Sequence, residues 1–404
     1  MHYDRRSALP KFIPRAALAL AGLCFPVVVA EVALRITGLQ PPAFRRMEYL
    51  PDDPIARLGG PPYVGYAPGT HTNQVYFHCD GTEEDIDQCK EERRIPFDVN
   101  TAGYRDHEYD NAMLAKRFRI MCVGDSFTVA DGVNLEDAWP ARVEHHLAGV
   151  TTLEPKAIRI ARQGWSTREQ SIALASDGLP LDPNLVIVQV YLNDALSSRH
   201  RAPIDAALRQ VQGDFVRDGW VSLPTGGTFG NVRVTRLNPH ASYVLNWVSG
   251  IANSGSTRKT TDRWHSSLWN DTLNREGLAE FDWALGTMVE TSKEDGLPFL
   301  VVLFPSMDDL GPDYPYTAIH LNIARRVIAA GLPVLDLLEP LRTVDPAVPR
   351  WAHPSDHHPS PEMHDLAAKA IVAHLRTDSK RFLAAASRST TGGDQVDVEP
   401  APSE

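Results

Sequence analysis

A serine in a short turn is the first residue of this chain that could do chemistry. Gly124-Asp125-Ser126 follows directly on an apolar, β-rich run over residues 118–123, and the glycine marks the end of that run. A serine after a buried strand lies at the carboxyl edge of a sheet, which is where α/β folds carry their sites. Its hydroxyl becomes a nucleophile only when a base takes its proton and a third group orients that base. Both must come from elsewhere in the chain.

The candidate base lies in a histidine pair far downstream. Asp356, His357, His358 and Pro359 stand just before the last amphipathic helix, predicted over 364–375, which would bring them back to the same sheet edge. Either histidine can act as a general base, and the preceding aspartate is the type of group that orients an imidazole. The chemistry alone leaves the choice between the two histidines open.

The elements around these residues alternate between apolar strands and amphipathic helices. We predict strands at 118–123, 158–161, 185–190, 299–304 and 334–337, and helices at 139–147, 168–175, 278–292, 318–330 and 364–375. This alternation predicts an α/β fold with three layers, α/β/α, around a central, mainly parallel sheet that is covered on both faces.

Composition excludes some classes of partner. The 404 residues are 43% hydrophobic, which is enough for one large core domain with extensions. A formal net charge of −11, with no basic run beyond the N-terminus, argues against nucleic acid, because phosphate binding needs clustered Lys and Arg. The sequence does not indicate an oligomeric state.

The N-terminus has the pattern of an export signal. Four positive side chains come first: Arg5, Arg6, Lys11 and Arg15. The apolar run over 16–34 that follows is long enough to span a bilayer, although Glu31 interrupts it. We expect an uncleaved anchor in the cytoplasmic membrane, with the body of the protein periplasmic or extracellular. The alternatives are secretion after cleavage of the signal behind Ala30, and a buried core helix.

The predicted export affects the expected oxidation state of the cysteines. Cys79 and Cys89 flank an acidic loop, and in an oxidising compartment we expect a disulfide between them, with two separate thiols as the alternative. Cys122 lies in the strand before Ser126 and is predicted to be a small buried residue. We predict no metal site.

The chain divides into four segments. Residues 1–36 form the anchor or signal, and residues 37–117, rich in Pro, Gly and charge, are predicted to be a stalk and an irregular subdomain that contains both cysteines of the expected disulfide. Residues 118–380 form the α/β domain, with a polar insertion at about 196–268. Residues 381–404 are expected to be a disordered tail.

Taken together, these motifs resemble the SGNH hydrolase superfamily, also called the GDSL-type esterases. Four segments are similar to its sequence blocks in the same order: Gly124-Asp125-Ser126, Gln163-Gly164-Trp165-Ser166-Thr167, Leu192-Asn193-Asp194 and Asp356-His357-His358-Pro359. The likeness extends from Gly124 to about Leu375, and the joint order of the blocks is far more specific than any one of them.

The resemblance implies a flavodoxin-like version of the three-layer fold and a serine esterase that uses no metal and no cofactor. It implies Ser126 as the nucleophile, His358 as the base and Asp356 as the partner of that base. It also implies an oxyanion hole formed by the backbone N–H groups of Ser126 and Gly164 and by the side-chain amide of Asn193.

Two further segments are similar to an exported, membrane-anchored subgroup of that superfamily. They are residues 31–35, after the apolar run, and residues 100–106, in which Arg105 is expected to structure a loop. Arg159, Ala161 and Tyr191 depart from the residues that the superfamily usually has before Gly164 and Asn193. We interpret the two arginines near Gly164, Arg159 and Arg162, as solvated side chains, or alternatively as a positive rim for an anionic substrate.

The expected reaction is hydrolysis of an acyl ester, in particular an acetyl ester, on a cell-envelope or exopolysaccharide substrate, and this choice of substrate rests on analogy. One alternative is a polysaccharide O-acyltransferase, which would use the same five residues. A second alternative is a non-catalytic envelope binding or assembly protein that keeps the fold.

Overall fold

The computed structural model describes residues 25–33, 45–50, 68–79, 89–198 and 262–384, together with Ile36 and Tyr66 and without 309 and 355. The larger of two compact units contains residues 68–75, 94–198 and 265–384 of the described chain, and every site residue discussed below belongs to it. Most of the predicted N-terminal anchor, most of the polar insertion and nearly all of the predicted tail lie outside the described residues.

Three strands precede the central sheet. They are β1 (Arg45–Leu50), β2 (His71–Cys79) and β3 (Cys89–Asp98), in the order β1-β2-β3. The sequence predicts a stalk and an irregular subdomain over 37–117, and these strands differ from that prediction. The charged run at the start of β3 hides the strand in the sequence. The strand that pairs with β2 includes these charged residues, and among its described side chains only Ile95 and Phe97, towards its end, are both apolar and buried.

The central sheet has five parallel strands in the order β5-β4-β6-β7-β8. Their bounds are β4 (Phe118–Gly124), β5 (Pro155–Ala161), β6 (Leu185–Val190), β7 (Phe299–Leu303) and β8 (Val334–Asp336). This is the doubly wound order found in flavodoxin-like folds. An antiparallel pair, β9 (Trp351–His353) and β10 (Asp356–Pro359), follows the sheet.

Helices connect the strands and cover the sheet. Their bounds are α1 (Asn111–Leu114), α2 (Ser126–Val129), α3 (Trp139–Leu147), α4 (Thr167–Ala173), α5 (Arg275–Glu294), α6 (Thr317–Ala330), α7 (Leu338–Arg342), α8 (Pro361–Thr377) and α9 (Ser379–Phe382). Shorter turns are the 3₁₀ segments Leu135–Asp137 and Leu179–Leu181 and the π segment Leu174–Gly178.

The helices form two layers. Helix α3 packs against α8, while α4 packs against α5 and α5 against α6. Because parallel strands are joined by right-handed crossovers, the connection that leads to β5 and those that lead to β6, β7 and β8 lie on opposite faces of the sheet. Every residue of β6 is buried, as expected for a strand covered on both faces. The predicted three-layer α/β/α fold is confirmed.

The strand order changes direction at β4. The chain leaves β4 for its neighbour on one side, β5, and then returns to its neighbour on the other side, β6. Connections therefore diverge at the carboxyl end of β4, which is where open α/β sheets bind ligands. Ser126 begins the helix that follows this strand.

The predicted membrane anchor and the predicted disulfide fall only partly within the described residues. Among the helices that the structure describes, none is both long and apolar enough to cross a membrane. Cys79 ends β2 and Cys89 begins β3, but their side chains lie outside the described part, so the disulfide stays a prediction. Cys122 is a free, buried thiol, as predicted.

Candidate active site

The turn that carries Ser126 is closely packed against the side chains of Thr128 and Gln189. A Cβ atom at Gly124 would lie 2.1 Å from Thr128 Oγ1 and 2.4 Å from Gln189 Oε1, so only glycine fits there. The Gln189 amide oxygen accepts hydrogen bonds from the Asp125 backbone N–H at 3.0 Å and from the Thr128 hydroxyl at 3.0 Å. Gln189 is the one polar residue of β6, and it is buried. A glutamine inside an otherwise apolar strand is the sequence signal that points to this role.

Asp125 has a structural task in the same turn. It is the N-cap of α2, and its carboxylate accepts a hydrogen bond from the Phe127 backbone N–H at 3.0 Å. Burial raises the pKa of this carboxyl group to about 6. The cap leaves the neighbouring Ser126 side chain available to the site, since Asp125 and not Ser126 satisfies the end of the helix.

The structure brings Ser126, His358 and Asp356 into one hydrogen-bonded chain. His358 Nε2 lies 2.8 Å from Ser126 Oγ, and His358 Nδ1 lies 2.5 Å from Asp356 Oδ1. An ionised carboxylate can only accept, so Nδ1 carries the proton and Nε2 of the neutral ring is left to accept from the serine hydroxyl. The Phe127 ring packs edge-on against the imidazole, with 5.5 Å between ring centroids.

Three carboxylates determine the charge on His358. Burial disfavours the imidazolium and lowers the pKa of His358. Asp356 raises this pKa through its charge and its hydrogen bond, and the charges of Asp131 and Asp125 raise it further. Together they raise the pKa of His358 to about 9. Burial also raises the pKa of Asp131 to about 6, although the charge of His358 partly offsets it.

His357 faces a different partner. Its Nδ1 lies 2.8 Å from Asp308 Oδ1, and its ring stacks on Trp351 with 4.2 Å between centroids and 12° between planes. The hydrogen bond to Asp308 raises the pKa of His357, although burial opposes the shift. The two histidines that chemistry alone could not separate are thus distinguished by geometry, since His358 contacts Ser126 and His357 pairs with Asp308.

Gly164 and Asn193 flank the serine turn. Gly164 follows β5 and Asn193 follows β6, and these two strands are the neighbours of β4 on either side. Gly164 has φ +67°, in the left-handed region that favours glycine. Just after it, Ser166 and Glu169 form a capping box that fixes the start of α4. Both candidate oxyanion donors therefore lie at the same sheet edge as Ser126.

Asp194 holds the loop that carries Asn193. Its carboxylate accepts hydrogen bonds from Thr167 Oγ1 at 2.7 Å, from Gln170 Nε2 at 2.8 Å and from the Tyr191 backbone N–H at 3.1 Å. These bonds connect the loop after β6 to the first turn of α4. Burial, and then the charge of Asp125, raises the pKa of Asp194 well above its ordinary value.

Three arginines of this region, Arg105, Arg159 and Arg162, are buried. Arg159 is buried and pairs with Asp106 at 2.7 Å, so the interpretation of Arg159 as solvated or as part of a positive rim is wrong. Arg162 is also buried, which excludes the solvated interpretation for it as well. Arg105 is buried and donates to the carbonyls of Val129 and Ala130, as expected for a residue that structures a loop. In the part of the chain that the structure describes, no group of three or more His, Cys, Asp or Glu side chains is placed to hold a metal ion.

No family model matches this chain, and no curated protein does. Solved structures to which it is similar include a lipolytic protein of the G-D-S-L family from Desulfitobacterium hafniense, with 13% identity over 64% of this chain and 99% of that one and a TM-score of 0.35. A lipase/acylhydrolase from Enterococcus faecalis has 17% identity over 64% and 95%, with a TM-score of 0.36. An acetyl xylan esterase has 12% identity over 64% and 99%, with a TM-score of 0.36. Identities and TM-scores this low do not transfer an activity, so the function has to be inferred from the chain's own residues.

Proposed function

We propose that this protein is a serine ester hydrolase of the SGNH superfamily. The observation that carries the proposal is the continuous chain from Ser126 Oγ to His358 and Asp356, with distances of 2.8 and 2.5 Å. It lies at the carboxyl end of β4, between the segments that hold Gly164 and Asn193. These five residues occur in the chain order of the superfamily's sequence blocks, and their common position at one sheet edge supports the proposal.

The proposed reaction has two steps. Ser126 Oγ attacks the acyl carbon while His358 Nε2 takes the hydroxyl proton, and the ester C–O bond then breaks as His358 gives that proton to the leaving alcohol. In the second step His358 takes a proton from water, which attacks the acyl-serine, and the acid is released as Ser126 regains its hydrogen. Asp356 remains ionised throughout and holds the imidazole in the productive tautomer.

Charge develops on the carbonyl oxygen in both steps. We assign its stabilisation to the backbone N–H groups of Ser126 and Gly164 and to the side-chain amide of Asn193. The capping box at α4 and the hydrogen bonds of Asp194 support this role, because they fix both loops before substrate arrives. Donors that are already oriented need no reorganisation in the transition state.

The proposed substrate is an acyl ester, in particular an acetyl ester, of a cell-envelope or exopolysaccharide glycan. Support for it comes from the predicted N-terminal export segment, which would tether the catalytic domain outside the cytoplasmic membrane and raise the effective concentration of envelope polymers. A phosphatase reporter that folds only outside the cytoplasm, joined after Arg105, should be active. A silent reporter at that joint would remove the basis for this substrate class.

Product analysis tests the reaction itself. The full-length protein is incubated with an aryl acetate and with an acetylated glycan, with and without a labelled unacetylated glycan. Release of acetate in proportion to alcohol supports hydrolysis, whereas acetyl transfer to the labelled glycan in place of water would identify an O-acyltransferase with the same residues. No acyl turnover with any ester would contradict the proposal.

The pH dependence follows from the charge of His358. The ring can accept the Ser126 proton only when it is neutral, and a pKa of about 9 leaves most of it protonated near neutral pH. The reactive form therefore grows as the pH rises, and we expect kcat/KM for an uncharged aryl ester to rise about tenfold per pH unit between about pH 6 and pH 8. The measurement is kcat/KM against pH, corrected for spontaneous hydrolysis. A profile that is flat above about pH 6 would contradict this charge state.

A further inference from the structure

Asp131 is a buried carboxylate beside the proposed catalytic histidine. It follows α2, and its backbone N–H donates to the Ser126 carbonyl at 3.2 Å. Its predecessor, Ala130, has φ +67°, a left-handed conformation that is unfavourable for a residue other than glycine. Only 4% of Asp131 is exposed. A charged side chain in this position needs partners, and the structure provides them.

The two carboxylate oxygens of Asp131 face two parts of the site. Oδ2 lies 3.9 Å from His358 Nε2, the same nitrogen that lies 2.8 Å from Ser126 Oγ. Oδ1 accepts a hydrogen bond from Gln163 Nε2 at 2.7 Å. Gln163 directly precedes Gly164, the proposed oxyanion donor, so Asp131 connects the base to the oxyanion loop.

Other side chains hold the Asp131 turn in place. The Arg105 guanidinium donates to the carbonyls of Val129, Ala130 and Val133, at 3.1, 2.6 and 2.9 Å. The backbone N–H of Gly132 donates to Gln74 Oε1 at 2.8 Å. Bonds on both sides of Asp131 therefore fix the position of its carboxylate. A charge held in this way acts on the site without a reorganisation step.

We propose that Asp131 is a second acidic partner of His358, which stabilises the imidazolium from the Ser126 side and links it through Gln163 to the oxyanion loop. The inference rests on the proposed function and adds a residue to it. Asp356 already occupies Nδ1, and Asp131 lies on the side of Nε2, where the proton arrives when Ser126 attacks. An anion within about 4–6 Å favours the charged form of a titrating group by about 1–3 pKa units.

Other titratable and charged groups near His358 also influence its pKa. Asp356, Asp131 and Asp125 raise its pKa against the effect of burial. Burial, and then the charge of His358, lowers the pKa of His364 to about 3, so His364 is uncharged near neutral pH. His357 adds a positive charge only when it is protonated. The charge of Arg105 lowers the pKa of Asp131 and so favours its ionised form.

The test is a titration of the His358 ring in the resting protein. Full-length protein with ¹³C-labelled histidine is titrated by NMR, and the His358 signal is assigned by its loss in His358→Gln. We expect the midpoint to fall by about 1 pH unit or more in Asp131→Asn and in Asp131→Ala, and to stay near the wild-type value in Asp131→Glu. Two neutral variants are used so that a folding defect in one of them leaves the test intact.

Asp308→Asn is the matched control. It removes the same charge from a carboxylate that pairs with His357, so it should lower the His357 midpoint and leave that of His358 much less affected. A His358 midpoint that is unchanged in both neutral Asp131 variants, while Asp308→Asn moves His357, would overturn the proposal.

Kinetics provide the second readout. With Asp131 neutral, the acidic limb of kcat/KM should move to lower pH together with the NMR midpoint, and the plateau should fall by less than about tenfold, because the imidazolium is less stabilised. A purely structural role would lower the plateau without moving the limb. If Ser126→Ala kept its activity, the proposed function would fail while the NMR titration remained interpretable. If Ser126 were essential and the midpoint did not move, this inference alone would fail.

Discussion

Replacement of Ser126 by alanine is expected to lower ester hydrolysis by about four to six orders of magnitude, the range seen when the nucleophile of a serine triad is removed. No other hydroxyl is expected to replace its Oγ, which lies 2.8 Å from His358 Nε2. Folding should be retained, because Asp125 and not Ser126 caps α2. The measurement is kcat/KM on an aryl acetate, together with a thermal melt.

The matched control is Ser176→Ala, which removes a hydroxyl from an exposed residue of the π segment after α4. It should keep wild-type activity. A Ser126→Ala protein that retained more than a few per cent of wild-type activity would show that the nucleophile is elsewhere.

Removal of the His358 imidazole is expected to lower kcat/KM by about three orders of magnitude or more, whereas the same change at His357 should alter it by no more than a few-fold. His358 connects Ser126 to Asp356, while His357 pairs with Asp308 and stacks on Trp351. Glutamine is the substitution for both positions, because it keeps polarity and removes the base.

The two adjacent histidines control for each other, since both variants lose one imidazole from the same strand. Kinetics of both proteins on one aryl ester, with far-UV circular dichroism to check folding, give the comparison. An inactive His357→Gln beside an active His358→Gln would reverse the assignment of the base.

Hydrophobic patterns predicted the central sheet well. Strand β6 and helix α3 have the bounds expected from the sequence, Leu185–Val190 and Trp139–Leu147. Strand β5 instead begins at Pro155, three residues before the predicted start at Ile158. The reason is that residues 155–157 pair with residues 118–120 at the start of β4. Backbone hydrogen bonds to a neighbour set that boundary, and a pattern of apolar residues does not contain them.

The segment before the sheet was harder to predict. The start of β3 is a run of charged residues, and its partner β2 is a separate segment earlier in the chain, so local composition indicated irregular structure. The interpretation of Arg159 as a solvated or rim residue was wrong for a related reason. An arginine in a sequence is solvated by default, and only the fold shows that Asp106 neutralises it inside the protein.

The chain order of the sequence blocks identified the residues of the proposed triad and oxyanion hole. Their supporting partners required the three-dimensional structure. Asp131 stands in an apolar stretch only five residues after Ser126, which was a usable signal, but its contact with His358 spans more than two hundred residues of sequence. Asp308 likewise meets His357 only in the folded chain.

The most direct test of the central claim is covalent labelling of the full-length protein by an organophosphonate, followed by peptide mass spectrometry. A serine activated by His358 should take up one phosphonyl group per chain, and the modified residue should be Ser126. Labelling should be absent in Ser126→Ala and strongly slowed in His358→Gln, and should proceed at the wild-type rate in Ser176→Ala. A folded wild-type protein that remained unmodified, or that was modified at a different residue, would contradict the assignment and favour a non-catalytic binding protein that keeps the fold.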